Sequence, residues 1–465
     1  MDAAIIFSQF IVNTNDQDIP EEVLEISKRA ILDCLGVMIA GSTTDKAASE
    51  IFNMVKEAGG KEESTILGFG GKVPAWMAAF ANGAMMHVLD YEDVHDTAVV
   101  HPTESVLPAA LAVAEKIGGV GGRKFLTAII LGSDMVIRLG LARTKPIAWY
   151  GWLFPEVRMT FSATASAGKL LNLNEDEMVS ALGIAINQAA GSMEATFSPG
   201  SVIRQIRGCF GQKAGVLSAL MAQRGIKGVT ESFEGRGGLF NLYYRGEYDR
   251  KTLLKDLGKR WHVLDLSFKA FPSCRLTNNY IECTLSIVKE NDIKPEDVKS
   301  ILVSVGDRML CEPKQERRRP TQSIDAKFSL PFTVAIAVVK RNVVIDDFLP
   351  FNLKDRKVID IAEKVECVLD PELDVKELSP AKVEIRTKEG KSYSGRVDYP
   401  YGHPRNPMKL EDLIEKFKKC VSYSAKPLPV ANVNRAIDLL LNLEKVLAFQ
   451  EMEEINSVGA METKV

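Results

Sequence analysis

AWMAAFANGAMMHVLDYEDVHDTAVVHP, residues 75 to 102, holds the two features that decide how this chain is read. Its first half is apolar nearly all round and built largely from Ala, Met, Phe and Gly. That is the pattern of a helix buried on every side. Its second half crowds His87, His95 and His101, three of only five histidines, among Asp90, Glu92, Asp93 and Asp96. Charges at the mouth of a buried segment cost free energy unless they are paired, bound to metal or used. Carboxylates alone would mark a solvated loop. Histidine, whose ordinary pKa lies near neutrality, tips the reading toward acid–base catalysis.

Outward from this stretch the first 265 residues read as helix after helix. EEVLEISKRAILDCLGVMIAG carries apolar residues at helical spacing and is predicted to stop at Gly41. ESVLPAALAVAEKIG, KFLTAIILGSDMVIRLGLA, FSATASAGKLL and EDEMVSALGIAINQAAGS follow, rich in Ala, Gly and Ser. Small residues let helix axes approach closely, and Asp134, Arg138 and Lys169 interrupt the apolar runs. These helices therefore read as a packed core and not as membrane spans. Asn174 with Glu177 three residues on predicts a capping box. After Trp261 the pattern changes: KSILVSV and AKVEIRT read as strands, and Glu389-Gly390 predicts a hairpin turn. AKFSLPFTVAIAVVKR and DRKVIDIAEKV read as helices between them. Helical periodicity returns in PMKLEDLIEKFKKCV and NRAIDLLLNLEKVLAF. The expected class is mainly α, a large all-helical domain plus a smaller α+β lid. Residues 1–265 form the helical domain, 266–400 the α+β domain, and 401–465 a return to the helical domain.

Bulk composition excludes several functions. The 465 residues hold 58 basic and 61 acidic side chains, a net charge of −3, so nothing draws the chain as a whole to nucleic acid. The basic run KQERRRP, 314 to 320, reads as a solvated loop. Cys34, Cys209, Cys274, Cys283, Cys311, Cys367 and Cys420 are scattered and odd in number, with neither a zinc-knuckle nor a disulfide pattern. No P-loop, dinucleotide fingerprint or G-x-S-x-G is present. The opening residues show no basic signal segment and no apolar run is long enough to span a bilayer, so the expected setting is cytoplasmic.

Three segment ends carry cations. FPEVRMTF has Arg158, IRQIRGCFGQKAG has Arg204, Arg207 and Lys213, and FKAFPSCRLTNNYIEC has Lys269, Cys274 and Arg275. Singly, such residues are most often surface charges or packing. Together with the carboxylate–histidine loop they suggest a site for a small polyanion, which arginine binds bidentately.

RAILDCLGVMIAGS, FANGAMMHVLDYEDVHDTAVVHPTESVLPAALAVAE, FSATASAGKLLNL, FKAFPSC, AKFSLPFTVAIAVV and HPRNPMKLEDLIEKF together resemble the 2-methylcitrate dehydratase (MmgE/PrpD) family. That family also includes cis-aconitate decarboxylase and iminodisuccinate epimerase. The resemblance runs along nearly the whole chain in family order. It implies a homodimer, a site where the two domains meet, and neither metal nor organic cofactor. Residue by residue, it implies that Asp90, His101 and Lys269 are catalytic. The chain departs from the family at Arg204 and Arg207, where lysine and histidine are common, and at Val94, Leu153 and Asn278. Arginine can anchor a carboxylate but is a poor proton carrier. Arg204, Arg207, Arg158, Cys274 and His95 are therefore expected to bind substrate.

Among the histidines, His101 is ranked first as proton carrier, held extended by Pro102. Asp90 is expected to orient and charge-stabilise an imidazole or the hydrogen-bond network that faces the substrate. His95 is expected to have its pKa raised by the nearby aspartates, and His87 to be a packed helix residue. The leading function is a cofactor-independent dehydratase on a citrate-like di- or tricarboxylate. Epimerisation or isomerisation of a polycarboxylate, and decarboxylation, are the alternatives. From other classes come a divalent-metal-binding protein using Asp90, Glu92, Asp93, His95 and His101, and a non-catalytic scaffold.

Overall fold

Glycine at helix crossings sets the architecture. In the computed structural model, which describes residues 1–146, 150–198, 201–373 and 380–447, the chain divides into two compact units. The first comprises residues 1–88, 92–266 and 409 onward; the second comprises 89–91 and 267–408. The fold is mainly α with a smaller α+β unit.

The longer helices of the first unit are α1 (Ala3–Asn13), α2 (Glu21–Thr44), α3 (Lys46–Ala58), α4 (Ala75–Met86), α5 (Leu107–Ile117), α6 (Gly122–Leu141), α7 (Phe154–Leu170), α8 (Glu175–Ala185) and α9 (Gly208–Gln223). α2 starts after Pro20 with Glu21 and Glu22 in its first turn, where carboxylates complement the helix dipole. It does not stop at Gly41 but continues to Thr44. Gly41 is there for packing: a Cβ would lie 2.2 Å from the Met85 carbonyl oxygen of α4. On α4 itself, a Cβ at Gly83 would lie 2.8 Å from the Gly208 carbonyl oxygen at the start of α9. α8 begins with the capping box of Asn174 and Glu177.

The charges interrupting α6 are used internally. Buried Asp134 and Arg138 pair at 2.5 Å, one turn apart, and Arg138 also donates to the carbonyls of Lys255 and Arg260, each at 2.7 Å. No helix among the described residues is long and apolar enough to cross a membrane.

The second unit contains α10 (Arg275–Glu290), strand β1 (Val298–Val305), α11 (Leu330–Lys340), α12 (Arg356–Ala362), β2 (Val365–Leu369), β3 (Ala381–Thr387) and β4 (Ser392–Val397). The strands form one sheet in the order β2-β1-β3-β4, with β1 and β2 parallel and the others antiparallel. Gly390, at φ +87°, makes the hairpin turn between β3 and β4. Strand β2 was not expected; its VECVL follows directly on α12 and reads as the tail of that helix. KQERRRP is no solvated loop: Lys314–Arg318 is a short helix, and buried Arg318 reaches Glu366 at 2.9 Å.

The chain returns to the first unit with α13 (Leu410–Val421) and α14 (Val430–Leu441). α13 lies along α2, where Lys416 pairs with buried Asp33 at 2.6 Å. Residues 448 and 449, part of the last expected helix, lie outside the described residues.

Candidate active site

His87 occupies the C-cap of α4, and the loop after it is braced by its own backbone. The His95 N–H donates to Val100 O, and the Val99 N–H donates to His95 O, both at 2.9 Å. Val99 is held at φ +52°, a conformation that β-branched side chains resist at a cost of about 1–3 kcal/mol. Arg158 helps hold this shape by donating to Ala98 O at 3.4 Å.

Five side chains of the first unit converge at this loop. His87 Nδ1 meets Glu92 Oε1, and His101 Nδ1 lies 3.1 Å from the same oxygen. The two rings stand edge to face, with centroids 5.1 Å apart. Glu104 Oε2 accepts from Arg207 Nη2 at 3.0 Å. His87, Glu92, Glu104 and Arg207 are buried; His101 is partly open. Arg207 stands at the N-cap of α9, next to the glycine crossing of α4 and α9.

The proton on His101 can be placed by its neighbours. Its Nδ1 faces two acceptors, the Asp93 carbonyl at 3.0 Å and the Glu92 carboxylate. Nδ1 therefore carries the hydrogen, and a neutral ring has its lone pair on Nε2. A histidine oriented by a carboxylate in this way is equipped to accept a proton, and the carboxylate stabilises the imidazolium that results.

Below it, the Asp93 carboxylate accepts from Thr103 Oγ1 at 2.8 Å and from Cys34 Sγ at 3.2 Å. Burial pushes Asp93 up to about 7, aided by the charges of Asp33 and Glu92 and opposed by the Thr103 bond. Burial, then the charges of Asp93 and Asp33, push the Cys34 thiol far up, which leaves it unreactive. Glu156 in α7 is also pushed up to about 7 by burial, with Arg207 opposing.

The second unit holds Asp90 and Lys269. Lys269 Nζ donates to the Asp90 carboxylate and, at 2.7 Å, to the Asp90 carbonyl. Both residues are buried, and Asp90 adopts φ +49°, a left-handed conformation that aspartate tolerates. Cys274 is buried at the N-cap of α10, and the Asn278 amide donates to its carbonyl at 3.2 Å.

Several expectations need correcting. Glu92 is a carboxylate that orients His101, and Lys269 engages Asp90. His87 is no mere packing residue but part of the carboxylate network. His95 has its pKa lowered to about 4, not raised, because burial of the ring outweighs the attraction of Asp265. Arg158 is fully buried; it donates to Tyr244 Oη at 2.9 Å and stacks 4.5 Å over Phe154, so it supports the loop. Arg204 is half-buried on the short helix Ile203–Ile206. Glu104 was not expected as a site residue, and Glu92 was expected only as a ligand in the metal-binding reading. The one visible signal was Glu104 three residues past His101, just ahead of α5.

Two clusters among the described residues have donor atoms close enough to consider for a metal: His87, Glu92, His101 and Glu104, and separately His95, His262 and Asp265. Neither fits well. In the first, the Arg207 guanidinium reaches 3.0 Å from Glu104 and 3.4 Å from His87, putting a fixed positive charge among the donors. In the second, the Ala98 N–H donates to His95 Nδ1 at 3.2 Å, so Nε2 bears the hydrogen of the neutral ring, and Arg260 already holds Asp265.

The fold and this network define a helical scaffold that carries a buried histidine–carboxylate–arginine cluster. Comparison with known proteins gives that class a family. The MmgE/PrpD N-terminal domain matches residues 6–251 and the MmgE/PrpD C-terminal domain residues 271–445, so the chain belongs to the MmgE/PrpD family. It is 27% identical over 468 residues to the cis-aconitate decarboxylase of Aspergillus terreus, spanning 95% of this chain and 93% of that protein. It is 26% identical over 444 residues to the cis-aconitate decarboxylase of Homo sapiens, spanning 91% and 88%.

Proposed function

We propose that this protein is a cofactor-independent lyase that acts on a small citrate-like polycarboxylate through proton transfer at a carbon beside a carboxylate. The observation that carries the reading is the tautomer of His101, with Nδ1–H held by Glu92 and the Asp93 carbonyl and a basic Nε2. In the dehydratase form, Nε2 takes the proton and Glu92 stabilises the imidazolium. The enolate-like charge that develops needs cations, and loss of hydroxide needs an acid. Half-buried Arg204 is the candidate anchor for a substrate carboxylate. Glu156, whose carboxyl burial keeps partly protonated near neutral pH, is the candidate acid. Asp90 and Lys269 enter through the resemblance of their motifs to the family, which implies catalytic roles for them.

Decarboxylation is the second reading, and the named relatives favour it. There the same imidazole, protonated, would deliver its proton to the carbon that CO2 leaves. Epimerisation would return the proton to the opposite face and needs no leaving-group acid.

The test is NMR of the purified enzyme in deuterated water with citrate, 2-methylcitrate, cis-aconitate and an iminodisuccinate. Alkene formation identifies the dehydratase, CO2 loss the decarboxylase, and deuterium wash-in without net conversion the epimerase. No change in any of these acids, or activity that tracks bound metal, counts against the proposal.

A further inference from the structure

Cys311 and Cys367 lie 56 positions apart in the sequence, yet both line one small cavity, and Cys367 lies near enough to push the Cys311 thiol up. Cys311 follows β1, in a turn where its N–H donates to Arg308 O at 2.8 Å. Cys367 is the middle residue of β2, opposite Val303 of β1. Cys311 is part of the apolar core of the second unit, and Cys367 packs against that core from its edge. Both line one open cavity of about 170 Å³ together with Arg308, Lys314 and Arg318 and the acids Glu312 and Glu366. Cys311 is 4% exposed, while Cys367 is half-buried. A buried thiol beside a more accessible one, lining a cavity reached from solvent, is the arrangement of a resolving and a reacting cysteine.

We propose that Cys311 and Cys367 form a reversible disulfide, with Cys367 the first to be oxidised by a hydroperoxide. The Cys367 sulfur attacks the peroxide oxygen; the O–O bond breaks, the outer oxygen leaves as water or alcohol with the Cys367 thiol proton, and Cys367 becomes a sulfenic acid. Cys311 Sγ then attacks that sulfur. The S–S bond forms, the S–O bond breaks, and the oxygen leaves as water with the Cys311 proton. Two thiols have given two electrons to one peroxide, and a dithiol reductant reverses the step. The cross-link ties β2, an edge strand of the sheet whose Val368 and Leu369 are exposed, to the turn after β1. Pinning an exposed edge limits its pairing with other chains.

The experiment treats the full-length protein with hydrogen peroxide, alkylates remaining thiols, digests without reductant and reads the peptides by mass spectrometry. The expected product is the Cys311 peptide joined to the Cys367 peptide, lighter by two hydrogens and separated by dithiothreitol. Cys311→Ser should stop at the Cys367 sulfenic acid, trapped by dimedone. Cys367→Ser should leave Cys311 as an alkylatable thiol, and because Cys367 is half-buried this variant keeps the test open if Cys311→Ser does not fold. Wild-type protein in which Cys367 proceeds to sulfinic acid beside an alkylatable Cys311 overturns the proposal. So does either cysteine joined to another partner, or no oxidation at this pair while other cysteines react. None of these outcomes depends on the acid–base reading of the first unit.

Discussion

Glu92 Oε1 lies 3.1 Å from Nδ1 of His101, and the same oxygen also meets Nδ1 of His87, so one buried carboxylate orients two imidazoles. Exchanging that carboxylate for an amide keeps an acceptor but removes the charge that stabilises an imidazolium. Glu92→Gln should therefore lower kcat by roughly tenfold or more with a smaller change in KM, the difference between a charge-assisted and a neutral hydrogen bond. Steady-state kinetics check this; an unchanged kcat would remove Glu92 from the proton-transfer step.

Arg207 and Glu104 form a buried pair at 3.0 Å. Removing one partner of such a pair strands the other, at a cost of roughly 3–5 kcal/mol. Arg207→Gln should thus lower stability sharply, and Arg207→Gln combined with Glu104→Gln should recover much of the loss in urea denaturation. Arg204→Gln, at a half-buried position, should raise KM with little loss of stability. A double variant no more stable than Arg207→Gln would show that the pair is not the unit of stabilisation.

Asp93 and His95 give stability opposite dependences on pH. The folded pKa of Asp93 is raised to about 7, so its contribution is full below the ordinary carboxylate range and is lost as pH rises through 7. His95 is lowered to about 4, so its contribution is present above the ordinary histidine pKa and is lost as pH falls toward 4. Melting temperatures of Asp93→Asn, relative to wild type, should climb from pH 4 to pH 7. Those of His95→Gln should climb in the other direction, from pH 7 down to pH 4. Parallel curves for variant and wild type would deny the shift at that residue.

A Cβ at Gly83 would lie 2.8 Å from Gly208 O, beside the helix end that carries Arg207. Gly83→Ala should force α4 and α9 apart, cost roughly 1–3 kcal/mol and reduce activity as the Arg207–Glu104 pair shifts. Gly41→Ala, at the α2–α4 crossing, should lower stability by a similar amount. Thermal melts and kinetics separate the two; wild-type stability in both would contradict the close crossings.

Much of the fold could be read from residue pattern because its signals are local. All-round apolar runs rich in Ala and Gly gave buried helices, Asn174 and Glu177 gave a helix start, and Glu389-Gly390 gave the β3–β4 turn. Gly41 misleads as a stop because its reason is a neighbouring backbone, invisible along the chain. The site is legible only in part for the same reason. Loop residues 87 to 102 announce chemistry, but which of four carboxylates reaches His101 is settled by tertiary folding. Likewise the neighbours of His95 are His262 and Asp265, far along the sequence, and burial there reverses the sign that the local aspartates suggest.

The central claim is that His101 carries the proton, and deuterium exchange into a processed polycarboxylate tests it most directly. General acid–base assistance contributes about 10²–10⁴-fold, so His101→Gln should lose about that much in the rate of exchange while folding as wild type. His87→Gln should act mainly through the shared Glu92 contact and stability. An exchange rate near wild type in His101→Gln, with exchange abolished in His95→Gln, would contradict the account and place the base on the other histidine.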